Sequence, residues 1–260
     1  MRLLPRLAVL ATLTTPALTA QAAGERVRDS VPGTLVTIEL ARVPGGPVTT
    51  DSGTTTVKDF WIGVTEVPWE LYDIFAYRLD LPAEERTRGL DAESRPSRPY
   101  GAPDYGWGHQ GFPAMSIAAP AAEAFAEWLS ERTGHHYRLP TDAEWQRAAD
   151  LALGPGPWSR ATLDSLAWHY GNADGRTHAV ATRAPDRLGL SDLLGNVQEW
   201  VRVGDRWTTR GGSYNDVPDA FATAPRARWQ PSWQERDPQY PKSRWWLSDG
   251  PFVGFRLVRE

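Results

Sequence analysis

The sequence contains no cysteine in 260 residues. Such a chain has no disulfide to hold its loops and no thiol for nucleophilic or redox chemistry. Its fold must rest on a packed core or on bound metal. The constraint is sharp because the N-terminus reads as an export signal. Arg2 and Arg6 precede an apolar run over residues 7–18, and Ala20-Gln21-Ala22 is a small-x-small cleavage pattern. The run is too short to span a bilayer. Residues 1–22 are therefore expected to be a cleaved signal peptide, with an uncleaved anchor as the competing reading. The product would be periplasmic or secreted, with no membrane span.

Composition says how such a chain can fold. The 23 Gly and 22 Pro exceed the average share, and 13 Trp are available for a core. This favours a loop-rich domain with few long helices and large aromatics inside. The net charge of −4 gives no reason to expect nucleic acid as a partner.

Over residues 34–43, Val36, Ile38 and Leu40 interleave with Leu35, Thr37 and Glu39. That alternation predicts a strand, closed by Pro44-Gly45-Gly46. Residues 60–64 predict a second strand. Pro68 suits a first helical position before Trp69, Leu71, Tyr72, Ile74 and Phe75. Residues 80–110 read as a long surface loop, and residues 23–33 as a polar linker. A helix is predicted over about residues 120–132, where Ala122, Phe125, Ala126 and Leu129 share a face and Gly134 ends it. Another starts at Thr141, the N-cap of a capping box closed by Glu144, which is assigned that capping role and no catalytic one. From 151 onward no long helix is predicted. One domain over residues 34–260 is the simplest organisation.

Several short segments follow in order: Glu66-Val67, Phe112-Pro113-Ala114-Met115, Tyr137-Arg138-Leu139-Pro140-Thr141, Gly195-Asn196-Val197-Gln198-Glu199-Trp200, Arg210-Gly211-Gly212-Ser213 and Gly254-Phe255-Arg256. The ordered set resembles the sulfatase-modifying factor, or formylglycine-generating enzyme, family across nearly the whole mature chain. The resemblance implies an α+β fold, irregular, loop-rich and C-type-lectin-like. It also implies oxidation of a sulfatase cysteine through copper held by two cysteines. Here Asp216 and Phe221 stand where those cysteines would be. Copper(I) prefers thiolates, so copper is not expected and that mechanism is lost.

What the resemblance leaves is a calcium loop formed by Asp192, the carbonyls of Gly195 and Val197, and Glu199. Calcium favours six to eight hard oxygens, which suits such a set. The competing reading is a plain Gly-Asn turn. Asn172 and Asp174 resemble a compressed second calcium site, or an ordinary turn. Ser213, Tyr214, Asp216, Arg226 and Arg228 are candidates for a pocket that grips a peptide or carboxylate. Alternatively Ser213 caps a turn and the arginines pair with surface acids. The five histidines show no zinc spacing, and His169, His178 and an Asp would form an iron triad only by accident of the fold. Trp245-Trp246 can line a groove, with at least one ring buried.

Two functions follow. One is a calcium-stabilised domain, expected to be monomeric, that binds a peptide, protein or small-molecule ligand. The other is an oxidoreductase or tailoring enzyme using the same pocket without cysteine.

Overall fold

The computed structural model describes residues 24–86, 94–154, 156–223 and 226–260. The signal-peptide reading falls on residues 1–22, outside the described residues. The chain runs through strands β1 (Arg26–Ser30), β2 (Thr37–Val43), β3 (Gly46–Thr50), β4 (Gly53–Val57) and β5 (Phe60–Gly63), then helices α1 (Trp69–Ala76) and α2 (Ala119–Thr133). Next come β6 (Tyr137–Arg138), α3 (Asp142–Leu153), α4 (Arg160–Leu166), β7 (Gln198–Val203), β8 (Arg206–Arg210), β9 (Val253–Gly254) and β10 (Val258–Arg259).

An antiparallel sheet of order β1-β2-β5-β10-β6 brings the two ends of the described chain together. A smaller sheet, β8-β7-β9, carries the Gln198-Glu199-Trp200 segment on its middle strand. β3 and β4 form a separate hairpin.

β2 separates two cores, and its alternation says why. Ile38 and Leu40 join one apolar cluster, while Ala41 and Val43 join the other. The first cluster holds Trp69, Tyr72, Phe75, Phe125 and Phe255. Their rings meet edge-on or tilted, as between Phe125 and Phe255 at 5.5 Å. The second gathers Trp145, Phe60, Leu163, Leu193 and Phe221. Truncating a ring such as Phe125 to Ala should cost about 3–5 kcal/mol. The abundant tryptophan is thus mostly core.

Residues 26–30, read as part of a linker, instead form an edge strand paired with β2 from Arg26↔Ala41 to Ser30↔Thr37. Its anchor is polar and distant in sequence: Asp29 accepts from Arg259 at 2.7 and 2.8 Å and from the Tyr137 hydroxyl. An apolar periodicity cannot reveal such a tie. Pro68 is the N-cap of α1, one residue before the position expected. α2 ends at Gly134, whose φ of 73° is left-handed. The capping box at Thr141 and Glu144 is formed in both directions, and Glu144 also receives both Arg138 nitrogens at 2.7 Å. Among the described residues no helix is long and apolar enough to cross a membrane.

Candidate functional site

Four charged residues meet where the two sheets join. Glu66 leaves β5, Asp192 and Glu199 flank the turn before and within β7, and Arg256 links β9 to β10. All four are buried. Arg256 donates to Glu199 Oε1 at 2.9 and 2.7 Å and to the carbonyls of Gly63 and Ser191, each at 2.8 Å. Glu199 Oε2 accepts the Trp145 indole N–H at 2.9 Å. Glu66 accepts from the Val197 N–H at 2.9 Å and from Asn196 Nδ2 at 2.7 Å, so it holds the Gly195–Val197 turn from below. Burial, then the neighbouring Asp192 and Glu199 carboxylates, pushes Glu66 well above the usual carboxylate range.

Asp192 has a left-handed φ of 57°, and burial pushes its carboxyl up to about 6. Its Oδ2 accepts from the Ala181 N–H at 2.7 Å, while Oδ1 is buried without a partner among the described residues. Gly195 is required at this turn. Its φ is 80°, and a Cβ there would stand 2.2 Å from the Trp168 carbonyl.

The segment after β8 departs from what a reactive pocket would need. Ser213 is buried, and its N–H and Oγ both donate to Asp216 Oδ2 at 2.8 Å. Gln198 Nε2 adds a third donor at 3.3 Å. Phe221 is fully buried, with its ring against Gly212 and edge-on to His169. Tyr214 is buried and packs edge-on against Trp107 at 5.3 Å. Burial raises its phenol far above the ordinary value, so it stays protonated. Arg226 does not join this group: it pairs with Asp51 of the β3–β4 turn and with Asp142 at the start of α3. Arg228 is exposed. Ser213, Tyr214 and Asp216 are thus brought together, as a hydrogen-bonded turn, and the two arginines are not.

A cleft of about 350 Å³ opens instead between residues 97–105 and 236–248. Trp246 forms one wall, with its indole N–H donated to the Ser97 carbonyl at 2.6 Å. Tyr105 forms another and donates to the Ser248 carbonyl at 2.6 Å. Arg236 and Arg98 line the mouth, and Arg98 has no ion pair among the described residues. Ser116 lines the cleft with a left-handed φ of 62°; its Oγ is enclosed beside the Tyr105 hydroxyl and makes no well-formed hydrogen bond among the described residues. The cleft lies within the roughly 300–1,000 Å³ of small-molecule sites.

The model of the sulfatase-modifying factor enzyme 1-like domain matches residues 30–260. The chain belongs to this family. The formylglycine-generating enzyme of Mycobacterium tuberculosis is 35% identical over 106 residues, covering 35% of this chain and 33% of that enzyme. The chain thus matches about a third of that relative's length. Treponema denticola variable protein 1 superposes with a TM-score of 0.63 at 21% identity, covering 90% of this chain and 98% of that one. PvdO from Pseudomonas aeruginosa does so with a TM-score of 0.58 at 22% identity, over 86% and 94% of the two chains. Both likenesses establish the fold. It is the irregular α+β fold of the formylglycine-generating enzyme type.

Within this sulfatase-modifying-factor domain the remaining candidates find local partners. Asn172 Oδ1 accepts from the His169 N–H at 2.8 Å, and Asp174 is exposed with a φ of 53°. Buried His169 contacts Asp164 at 2.9 Å, whereas His178 Nε2 faces the Ala173 carbonyl at 2.9 Å and stacks on Trp168 at 3.6 Å. The two imidazoles therefore do not share a carboxylate. Among the described residues no three His, Asp or Glu side chains are placed to hold a metal by themselves. A cation beside Asp192 and Glu199 would depend on the Gly195 and Val197 carbonyls as well.

Sequence reasoning passed over Glu66, Ser116 and His109 as functional candidates. His109 lies between Asp73 at 2.7 Å and Asp104 at 2.9 Å, and stacks on Trp69 at 5.0 Å. It pins the loop that carries Tyr105 to α1. A lone acid inside the run Trp61-Ile62-Gly63-Val64-Thr65-Glu66-Val67 was the available signal for Glu66. For Ser116 and His109 there was none, because their partners are distant in sequence.

Proposed function

We propose that this family member is an exported, calcium-stabilised binding domain that takes a small ligand or a peptide end in the cleft beneath Ser116. The observation that carries the reading is the fate of the two positions where the family's copper cysteines would stand. Asp216 is consumed by Ser213, and Phe221 is core. No cysteine elsewhere replaces them. Binding chemistry has the better support. The cleft has an aromatic wall in Trp246, Ser116 in its lining, and the Arg98 guanidinium, which has no ion pair among the described residues, while Arg236 is paired with Asp249. Arginine forks suit a carboxylate on that ligand.

Calcium fits the buried cluster. Glu66, Asp192 and Glu199 gather around Arg256, and Asp192 Oδ1 lacks a partner among the described residues. A divalent cation would use that oxygen and favour the ionised form of the clustered carboxyls. Asp192, Glu199 and the carbonyls of Gly195 and Val197 would hold it, with Glu66 positioning the turn. Its role would be to stiffen the loops, and export to a calcium-rich compartment would supply it.

Elemental analysis of the mature chain, purified without chelators or affinity metals, tests the reading together with ligand-detected NMR on small carboxylates and peptides. About one calcium per chain, no stoichiometric copper or iron, and hits lost on Ser116→Leu are expected. A stoichiometric transition metal would overturn it in favour of an oxidoreductase or tailoring enzyme with non-cysteine chemistry. Hits that survive Ser116→Leu would remove the cleft from the proposal.

A further inference from the structure

A second cleft, of about 250 Å³, opens on the other side of the Ser243–Trp246 segment, against the start of α2. Its walls are Trp200, Trp207 and Trp229 together with Ala119 and Pro120. Trp200 belongs to the first core and Trp207 packs against it, so Trp229 is the indole that the cleft leaves most open. Trp229 is half exposed, at 50%, and is held in place because its N–H donates to Gln234 Oε1 at 3.1 Å. Gln234 is in turn locked by its own donations to the carbonyls of Ser243 and Trp246. Trp200 donates to the Ile117 carbonyl at 2.8 Å. The indole N–H of Trp207 differs: it is buried and has no acceptor among the described residues.

The charge at this cleft is of one sign. Arg244 lines it, lies over the Trp245 ring at 5.0 Å, and makes no hydrogen bond or ion pair among the described residues. None of the residues lining the cleft is acidic. An aromatic box with acidic partners would take a quaternary ammonium, but the arginine excludes that here. A sugar would need several free donors and acceptors, and Gln234 is already fully engaged. The complement of indole walls and one unpaired guanidinium is a flat apolar body carrying an anionic acceptor.

We infer that this cleft is a binding site for a small aromatic carboxylate, with the ring against the Trp207 and Trp229 indoles and the carboxylate on Arg244. The site is separate from the Ser116 cleft and does not depend on that reading. Calorimetric titration of the purified chain with 2-naphthoate, and with 2-naphthamide as its neutral isostere, tests it. Saturable binding of naphthoate is expected, weakened roughly tenfold in the amide, in Arg244→Gln and in Trp229→Ala, which removes the exposed wall. Arg98→Gln, at the other cleft, should leave it unchanged. Equal binding of acid and amide, indifference to Arg244→Gln, or no saturable binding by a chain whose thermal melt shows it folded would each overturn the assignment. Sensitivity to Arg98→Gln in place of Arg244→Gln would move the ligand to the Ser116 cleft and overturn it as well.

Discussion

Arg256 places two of its nitrogens on a single oxygen of Glu199, and neither side chain is exposed to solvent. This contact joins β7 of the small sheet to the chain entering β10 of the large one. A buried pair of this kind adds little net stability over an apolar replacement, but breaking it leaves one charge stranded. Glu199→Gln keeps an acceptor for Trp145 and strands Arg256. Urea unfolding with excess chelator should show a loss of about 3 kcal/mol. Because metal is absent in that assay, the loss reports the ion pair alone; a loss under about 1 kcal/mol would mean that the guanidinium finds other compensation.

Calcium should appear as linkage. At about one hundred times its dissociation constant, the ion would stabilise the chain by roughly 2.7 kcal/mol relative to chelator. Asp192→Asn should abolish most of that difference while leaving the chelated protein folded. Magnesium should substitute poorly, since a mixed set of carbonyls and carboxylates suits the larger ion. Thermal melts with and without each metal decide the matter.

Ser116→Gly is expected to separate stability from function. It relieves a φ of 62° and removes an enclosed hydroxyl that makes no well-formed hydrogen bond among the described residues. Folding should become more favourable by about 1 kcal/mol, offset in part by the flexibility of glycine in the unfolded chain. Affinity for the cleft's ligand should fall over the same substitution. A loss of stability instead would show that the hydroxyl has a structural partner.

The pH dependence should carry one identifiable group. Burial pushes Asp186 up to about 6; its Oδ1 accepts from the N–H groups of Leu188 and Leu190, and its Oδ2 is buried without a partner among the described residues. A carboxyl raised on folding favours the folded state when protonated. Its contribution is fully present below the unfolded value near 4 and is lost as pH rises through about 6. Asp186→Asn removes the titration. The stability difference between wild type and variant should therefore shift by on the order of 2 kcal/mol between pH 4 and pH 7.5, in favour of the variant at the higher pH. A constant difference across that range would show that Asp186 stays solvated.

Much of the architecture was legible locally. The β2 alternation, the apolar face of α2 with its glycine stop, and the capping box of α3 each need only a few neighbouring residues, and each formed as read. Residues 26–30 did not read as a strand because Arg259 and Tyr137, which hold Asp29, lie over a hundred positions away. The same separation divides the functional residues. The candidates Asp192, Gly195, Val197 and Glu199 share one segment and were named through its family resemblance, whereas Glu66 and Arg256 reach that segment from either end of the domain.

The sequence alone determined that the chain has no thiol, and therefore no thiolate copper site, because that follows from residue identity wherever the chain folds. It also determined the family, through the order of its short segments. Tertiary structure alone decided which polar groups were free to act. Ser213 and Asp216 were consumed by each other, while Ser116, which carries no local signal, was turned toward a cleft. Local sequence sets conformational preference, but whether a hydroxyl or a guanidinium has a partner depends on which distant segments pack against it.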